Sequence, residues 1–209
     1  MVRPRVRDFV YSPQEFETML EDVAAFRDLG VSGVVFGVLT PNGSVDVERC
    51  SRLVEVASPM EVTFHRAFDL TADPFQALSD IAGIPDVTRI LTSGHATPRA
   101  NEPASLECLA RLAQMVSSAQ KGRRNELRIM PGSGINSLSI NSIFSALYPL
   151  GVQEYHMSGG SWTDGLSEKS ARREGKSFQM GQPGPSEWSV WKTNADSIKA
   201  VVDACMKLQ

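Results

Sequence analysis

Strand-like and helix-like stretches alternate along this chain from end to end, and that alternation restricts its fold more than any other feature. Apolar or β-branched runs near Met1 to Arg5, Val34 to Val38, Val62 to His65, Arg89 to Thr92, Leu127 to Met130 and Gln153 to His156 predict six strands. Helical patterns lie between them near Val45 to Ala57, Pro74 to Ala82, Leu106 to Ala119 and Ser137 to Leu147. A last helix places Ile198, Val201, Val202 and Cys205 on one face. Parallel strands need crossovers of a dozen or more residues, which usually fill with a helix, so the pattern implies an α/β fold built on a parallel sheet. Two architectures satisfy it, an open doubly wound sheet and a closed (β/α) barrel.

A helix also precedes the second strand, and its signal is complete. Ser12 as N-cap, Pro13 at the first helical position and Glu15 three after the cap make a capping box. Phe16, Met19, Leu20, Val23 and Phe26 form its apolar stripe, and Gly30 offers the left-handed residue that ends it near Leu29. Pro41-Asn42-Gly43 marks the turn after the next strand.

The strand patterns lean towards the barrel. A doubly wound sheet is covered on both faces and its strands read as continuous apolar runs. Here Val62 and Phe64 alternate with Glu61, Thr63 and His65, and Leu127 and Ile129 alternate with Arg128 and Met130. One face meets helices and the other meets something polar, as in a barrel interior. Arg3, Arg5, Glu61, Thr63, His65, Arg89, Arg128, Met130, Glu154 and His156 are therefore placed inside. Of these, Glu61, Arg89, Arg128 and Glu154 lie at the strand starts, where opposite charges predict a buried structural ion network.

Barrel enzymes keep their sites at the C-terminal strand ends. There the chain carries Arg3 and Arg5, then His65 to Asp69, Thr92 to His95, Gly132-Ser133-Gly134 and Ser158-Gly159-Gly160. Glycines let backbone N–H groups turn toward a ligand and a following helix adds its positive end, so the last two segments with Arg3 and Arg5 predict an anion cradle. The alternative for each is a tight strand-to-helix turn. His65 and His156 share the inward face and the upper rim, which suits acid–base or ligand roles as well as satisfied core histidines. Met130 beside them is a soft thioether of the kind that suits Cu(I), or a flexible core filler.

Other features exclude more than they assign. Cys50, Cys108 and Cys205 form no CxxC pair, so no disulfide framework or thiolate zinc site is legible and a reducing compartment is expected. Cys50 and Cys205 fall on apolar stripes, while Cys108 is expected to be more exposed. A net charge of -3 gives no basic stripe for nucleic acid or a membrane surface. Arginines occupy the place of a signal-peptide core and no run reaches the roughly 18 apolar residues of a membrane span, so a soluble cytosolic protein is predicted. The stretch from Trp162 to Trp191, with Lys169, Arg172, Arg173, Lys176 and Pro183-Gly184-Pro185, reads as a long loop whose basic residues are solvated or cover an anionic ligand.

The strand-end segments together resemble the CutC copper homeostasis family. The matching stretches are residues 1–12 (MVRPRVRDFVYS), 33–46 (GVVFGVLTPNGSVD), 62–69 (VTFHRAFD), 90–94 (ILTSG), 130–135 (MPGSGI) and 154–159 (EYHMSG), in family order. The resemblance implies a (β/α)8 barrel in the cytosol, tending to oligomerise, with a part in copper tolerance through copper binding and no established catalytic activity. Family chains carry two further β/α units before the segment like residues 1–5, together with the cysteines proposed as Cu(I) ligands, so no copper ligand carries over by position. Gly132-Ser133-Gly134 replaces the family's three glycines, a change the cradle tolerates if Ser133 needs no positive φ, and Val6-Arg7 replaces a Gly-Gly.

The expectation is thus a single domain over residues 1–209, a TIM-type barrel lacking its first two β/α units. Copper is expected at His65, His156 and Met130, and a small anion at Arg3, Arg5, Gly132, Ser133, Gly134, Ser158 and Gly159. Two alternatives stand beside copper binding. One is an enzyme acting on a small phosphorylated or carboxylated substrate, with His65 and Asp69 or His156 moving a proton; the other is an inactive barrel fragment. Six units leave the first and sixth strands with unpaired edges, which predicts self-association.

Overall fold

The computed structural model describes residues 1–95, 97–119, 126–165 and 189–208. Helix α1 (Pro13–Asp28) leads into β1 (Gly33–Phe36), and α2 (Val47–Ala57) into β2 (Glu61–Phe64). A 3-10 turn (Arg66–Leu70) and α3 (Pro74–Gly83) precede β3 (Val87–Thr92), and α4 (Pro103–Ala119) precedes β4 (Arg128–Pro131). After α5 (Ile140–Leu147), β5 (Gly160–Asp164) and β6 (Ser189–Thr193) form a hairpin ahead of α6 (Ala195–Leu208). Strands β1 to β4 make one parallel sheet in sequential order, and β5 pairs antiparallel with β6.

Local chemistry accounts for the helix starts. Ser12 and Glu15 cap each other as the sequence predicts, and Leu29 and Gly30 (φ +71°) close α1. Asp46 and Asp73 accept from the first-turn N–H groups of α2 and α3. On the sheet, Val34, Phe36, Val62, Phe64, Ile90 and Ile129 are buried in one core with Leu53, Ile81, Leu109, Leu112, Ile140 and Ile143 from the helices. The opposite face carries Thr63, Arg89 and Arg128 in register. A bulge sets this up: Val62 pairs with Val87 but Thr63 pairs with Arg89, so Thr88 is extra and Arg89 turns away from the helices.

The two outer predicted strands are not strands. Beside β1, Val2 donates to the Val35 carbonyl at 2.8 Å. The next donor on that side would be Pro4, which has no N–H, so the ladder stops. Beside β4, His156 N–H reaches Pro131 O at 2.8 Å in a single parallel bridge with Gly132. Ser133 (φ +77°) and Gly134 (φ +74°) then take the backbone out of the extended region.

Two further expectations need correction. The ends of the predicted loop from Trp162 to Trp191 pair as β5 and β6, with Trp162 opposite Trp191; Lys169, Arg172, Arg173, Lys176 and Pro183-Gly184-Pro185 lie outside the described residues. On α6 only Val201 of the predicted stripe is buried, with Ile198 and Val202 exposed and Cys205 half-buried. Among the described residues no helix is long and apolar enough to cross a membrane.

Candidate functional site

At the end of β2 the chain turns from strand to 3-10 helix, and the turn is built on His65. Its Nδ1 accepts from the Ala67 N–H at 3.3 Å, capping the 3-10 turn. Only 3% of the residue is exposed. Phe9 tilts over the imidazole at 4.7 Å between centroids, and Arg3 lies over Phe9 at 4.6 Å. A Cβ on Gly37 would come within 2.7 Å of Nδ1, so the neighbouring strand end closes the other side. Burial, with a smaller push from the Arg3 guanidinium, lowers the imidazole from 6.5 to about 4. The ring is then neutral at physiological pH. With Nδ1 accepting, its proton sits on Nε2, and that buried donor has no partner among the described residues.

Asp69 is fully used. Its Oδ1 accepts from Thr92 Oγ1 at 2.5 Å and from the Ser93 N–H at 3.1 Å. Its Oδ2 takes Arg66 Nε at 2.7 Å and Ser93 Oγ at 3.0 Å. These bonds tie the β2 and β3 ends together, and none goes to His65. Arg66 also gives Nη2 to Ser93 Oγ at 3.3 Å and keeps Nη1 without a described partner.

The N-terminal arginines are also engaged. Arg5 binds Glu15 at 2.6 Å, Asp8 at 2.9 Å and the Val10 carbonyl at 2.7 Å, pinning residues 5–10 to the start of α1. The pairing raises Arg5 and lowers Asp8 from their ordinary pKa values, while Glu15 is lowered first by the Ser12 N–H of the capping box and then by Arg5. Arg3 donates to the Arg7 carbonyl at 2.7 Å.

The two glycine segments do come together. A cleft of about 500 Å³ is lined by Ser133 to Asn136, His156 to Gly160, Arg66, Trp191 and Ser197. Arg66, not Arg3 or Arg5, is its arginine. The N–H groups of Gly134, Ile135, Ser158 and Gly159 have no hydrogen-bond acceptor among the described residues. Ser133 sits at positive φ, contrary to the condition set for it, and compensates by donating Oγ to the Pro98 carbonyl at 2.6 Å.

Histidine and thioether do not converge. Phe64 pairs with Ile90 and Leu91 with Met130. His65 and Met130 are therefore two strand spacings apart, about 10 Å, with the Leu91 position between them. His156 lies on the cleft side of β4, one level further on. No group of three His, Cys, Asp or Glu among the described residues is placed to hold a metal. A metal-bound imidazole normally donates its second N–H, whereas His65 Nδ1 accepts one, so His65 suits a hydrogen-bond donor better than a copper ligand.

The ion network forms at the strand starts as expected, though less buried. Arg89 reaches Glu61 and Glu154 at 2.5 Å each, and Arg128 reaches Glu154 at 3.2 Å. Arg89 and Glu154 are partly buried while the Glu61 and Arg128 side chains are 61% and 49% exposed.

Arg66, Trp191 and Ser197 are cleft residues that carried no site role in the sequence. Arg66 stood in plain view between His65 and Asp69; Trp191 had no local signal, because its position depends on a strand partner 29 residues earlier.

With this geometry established, comparison with known proteins places the chain. The CutC family profile matches residues 1–161. The chain belongs to the CutC family. A CutC family protein of Chromobacterium violaceum is 40% identical over 207 residues, 99% of this chain and 76% of that protein. One from Pasteurella multocida is 34% identical, covering 96% of this chain and 75% of its own length. Among solved structures, the CutC protein of Streptococcus agalactiae, named for copper homeostasis, superposes with TM-score 0.62 at 27% identity, over 75% of this chain and 70% of that one. The matched CutC segment contains Arg66 and both glycine loops of the cleft, while Trp191 lies beyond it.

Proposed function

We propose that this CutC chain serves copper homeostasis by binding a small phosphorylated or carboxylated molecule at its strand-end cleft. The supporting observation is the lining: Arg66, His156, serines and unpartnered backbone N–H groups, with no carboxylate among the described lining residues. Donors left without acceptors favour an anion. If chemistry follows binding, the proton falls to His156, exposed in the cleft, because Asp69 is committed to Arg66, Thr92 and Ser93. The test is thermal unfolding in phosphate. A ligand at 20 times its Kd adds about 2 kcal/mol to the folded state, and the Arg66→Gln variant should lose that gain. An unchanged melting temperature in tens of millimolar phosphate would overturn the reading.

The copper role itself comes from the family and from the name of the streptococcal relative. Copper bound directly through His65, His156 and Met130 is the competing reading; the family and the name of the streptococcal relative support it, and the Leu91 position between His65 and Met130 counts against one shared ion. Stoichiometric copper by elemental analysis, lost on His65→Gln, His156→Gln and Met130→Leu, would replace the anion reading.

The four-stranded sheet is, in this reading, an arc of a (β/α)8 barrel, with residues 1–209 as a single domain of that type. Thr63, Arg89 and Arg128 on one sheet face support it, since an open doubly wound sheet covers both faces with helices. We place the chain in the cytoplasm as a homo-oligomer. Three free thiols suit a reducing compartment, and the exposed Leu29, Leu138 and Met206 offer apolar surface to a second copy. A monomer by light scattering would remove the oligomer.

A further inference from the structure

We infer that the ligand of this cleft carries a flat ring beside its anionic group, and that the ring stacks on Trp191; the inference rests on the anion reading above. The two recognition elements come from separate parts of the fold. Arg66 follows β2, the β3 and β4 ends come next, the His156 to Gly160 segment lies beside β4, and at Gly160 that segment becomes β5, whose partner β6 carries Trp191. A lone phosphate held by Arg66 and the glycine loops would leave much of the 500 Å³ empty and Trp191 without a contact. Volumes of this order are typical of sites for small organic molecules, in which a few polar groups orient an apolar body.

Trp191 is held as a platform would be. Its indole lies so close over Gly160 that a Cβ there would meet Nε1 at 2.3 Å and Cε2 at 2.6 Å. Glycine is the residue that lets the ring approach, and any larger side chain would overlap it. From the second side, Trp162 meets it edge-on at 5.3 Å and 78°. The ring is thus fixed from two directions, yet 46% of the residue is still exposed beside the cleft. A large aromatic left half open next to an arginine and free N–H groups matches what a ligand with a π face and a negative end requires. The class is an aryl or heterocyclic phosphate or carboxylate.

The experiment titrates the full chain with inorganic phosphate and with phenyl phosphate, by calorimetry and by tryptophan fluorescence. Phenyl phosphate is expected to bind about 10-fold tighter, the low end of a single aromatic stack. Trp191→Leu should remove that difference while keeping inorganic phosphate binding, Trp191→Phe should retain most of it, and Arg66→Gln should weaken both ligands. Equal affinity for the two probes overturns the ring and leaves the anion reading standing. Binding of neither overturns both. A gain that survives Trp191→Leu assigns the ring to another surface and overturns the role of Trp191.

Discussion

The two ends of the same sheet treat charge in opposite ways. At the strand starts the charged groups of the polar face are paired with opposite sign: Arg89 holds Glu61 and Glu154, and Arg128 holds Glu154 and Glu126. At the strand ends charge and hydrogen-bonding capacity are left over. Asp69 and Arg66 pair, but Arg66 Nη1, His65 Nε2 and a row of backbone N–H groups have no acceptor among the described residues. Paired groups hold strands in place. A buried unpaired donor such as His65 Nε2 costs stability, whereas donors that line the cleft are free to meet a ligand.

The largest test of this contrast is Asp69→Ala. The side chain is 8% exposed and accepts from three residues, so its removal strands Thr92, Ser93 and Arg66. A loss of about 4 kcal/mol in urea unfolding is expected, most of it from the buried Thr92 and Ser93 donors left without an acceptor, since Arg66 is open to solvent. A loss below 1 kcal/mol would move Asp69 out of the structural set.

His65 gives the next largest effect, read through pH. Its folded pKa, about 4, lies below the unfolded 6.5, so the unfolded chain binds the proton more readily. The stabilisation is therefore complete above pH 6.5 and is lost as pH falls toward 4, on the order of 3 kcal/mol at about 1.4 kcal/mol per pH unit. A His65→Leu variant should flatten the stability profile across that window, and a profile identical to the parent's would contradict the burial described.

At the strand starts, Arg89→Met should cost about 1–2 kcal/mol, reduced from the buried-pair value because Glu61 is open to solvent. It should leave phosphate protection unchanged; a change there would break the division between the two ends. The smallest effect is expected at Ser133→Gly. Relief of the left-handed strain outweighs the exposed Oγ bond to Pro98, giving a gain of about 0.5 kcal/mol.

Much of this was legible because it is local. Ser12, Pro13 and Glu15 specify a helix start without reference to the rest of the chain. The alternation around Val62, Phe64, Leu127 and Ile129 marks the faces of β2 and β4, and the opposite charges at the strand starts met as expected. The outer strands failed on single residues. Pro4 lacks a donor and Ser133 leaves the extended region, and neither effect registers in an apolar pattern.

The sequence by itself determined the helices, the four central strands, their polar and apolar faces and the glycine loops at their ends, because capping, periodicity and turn chemistry act over a few residues. Tertiary structure decided which donors remained free. Arg5 was taken by Glu15 and Asp8 and Asp69 by Arg66, Thr92 and Ser93, while Leu91 separated His65 from Met130 and the hairpin brought Trp191 to the cleft. Partner choice of that kind depends on distances between segments far apart in the chain, and residue type alone does not encode them.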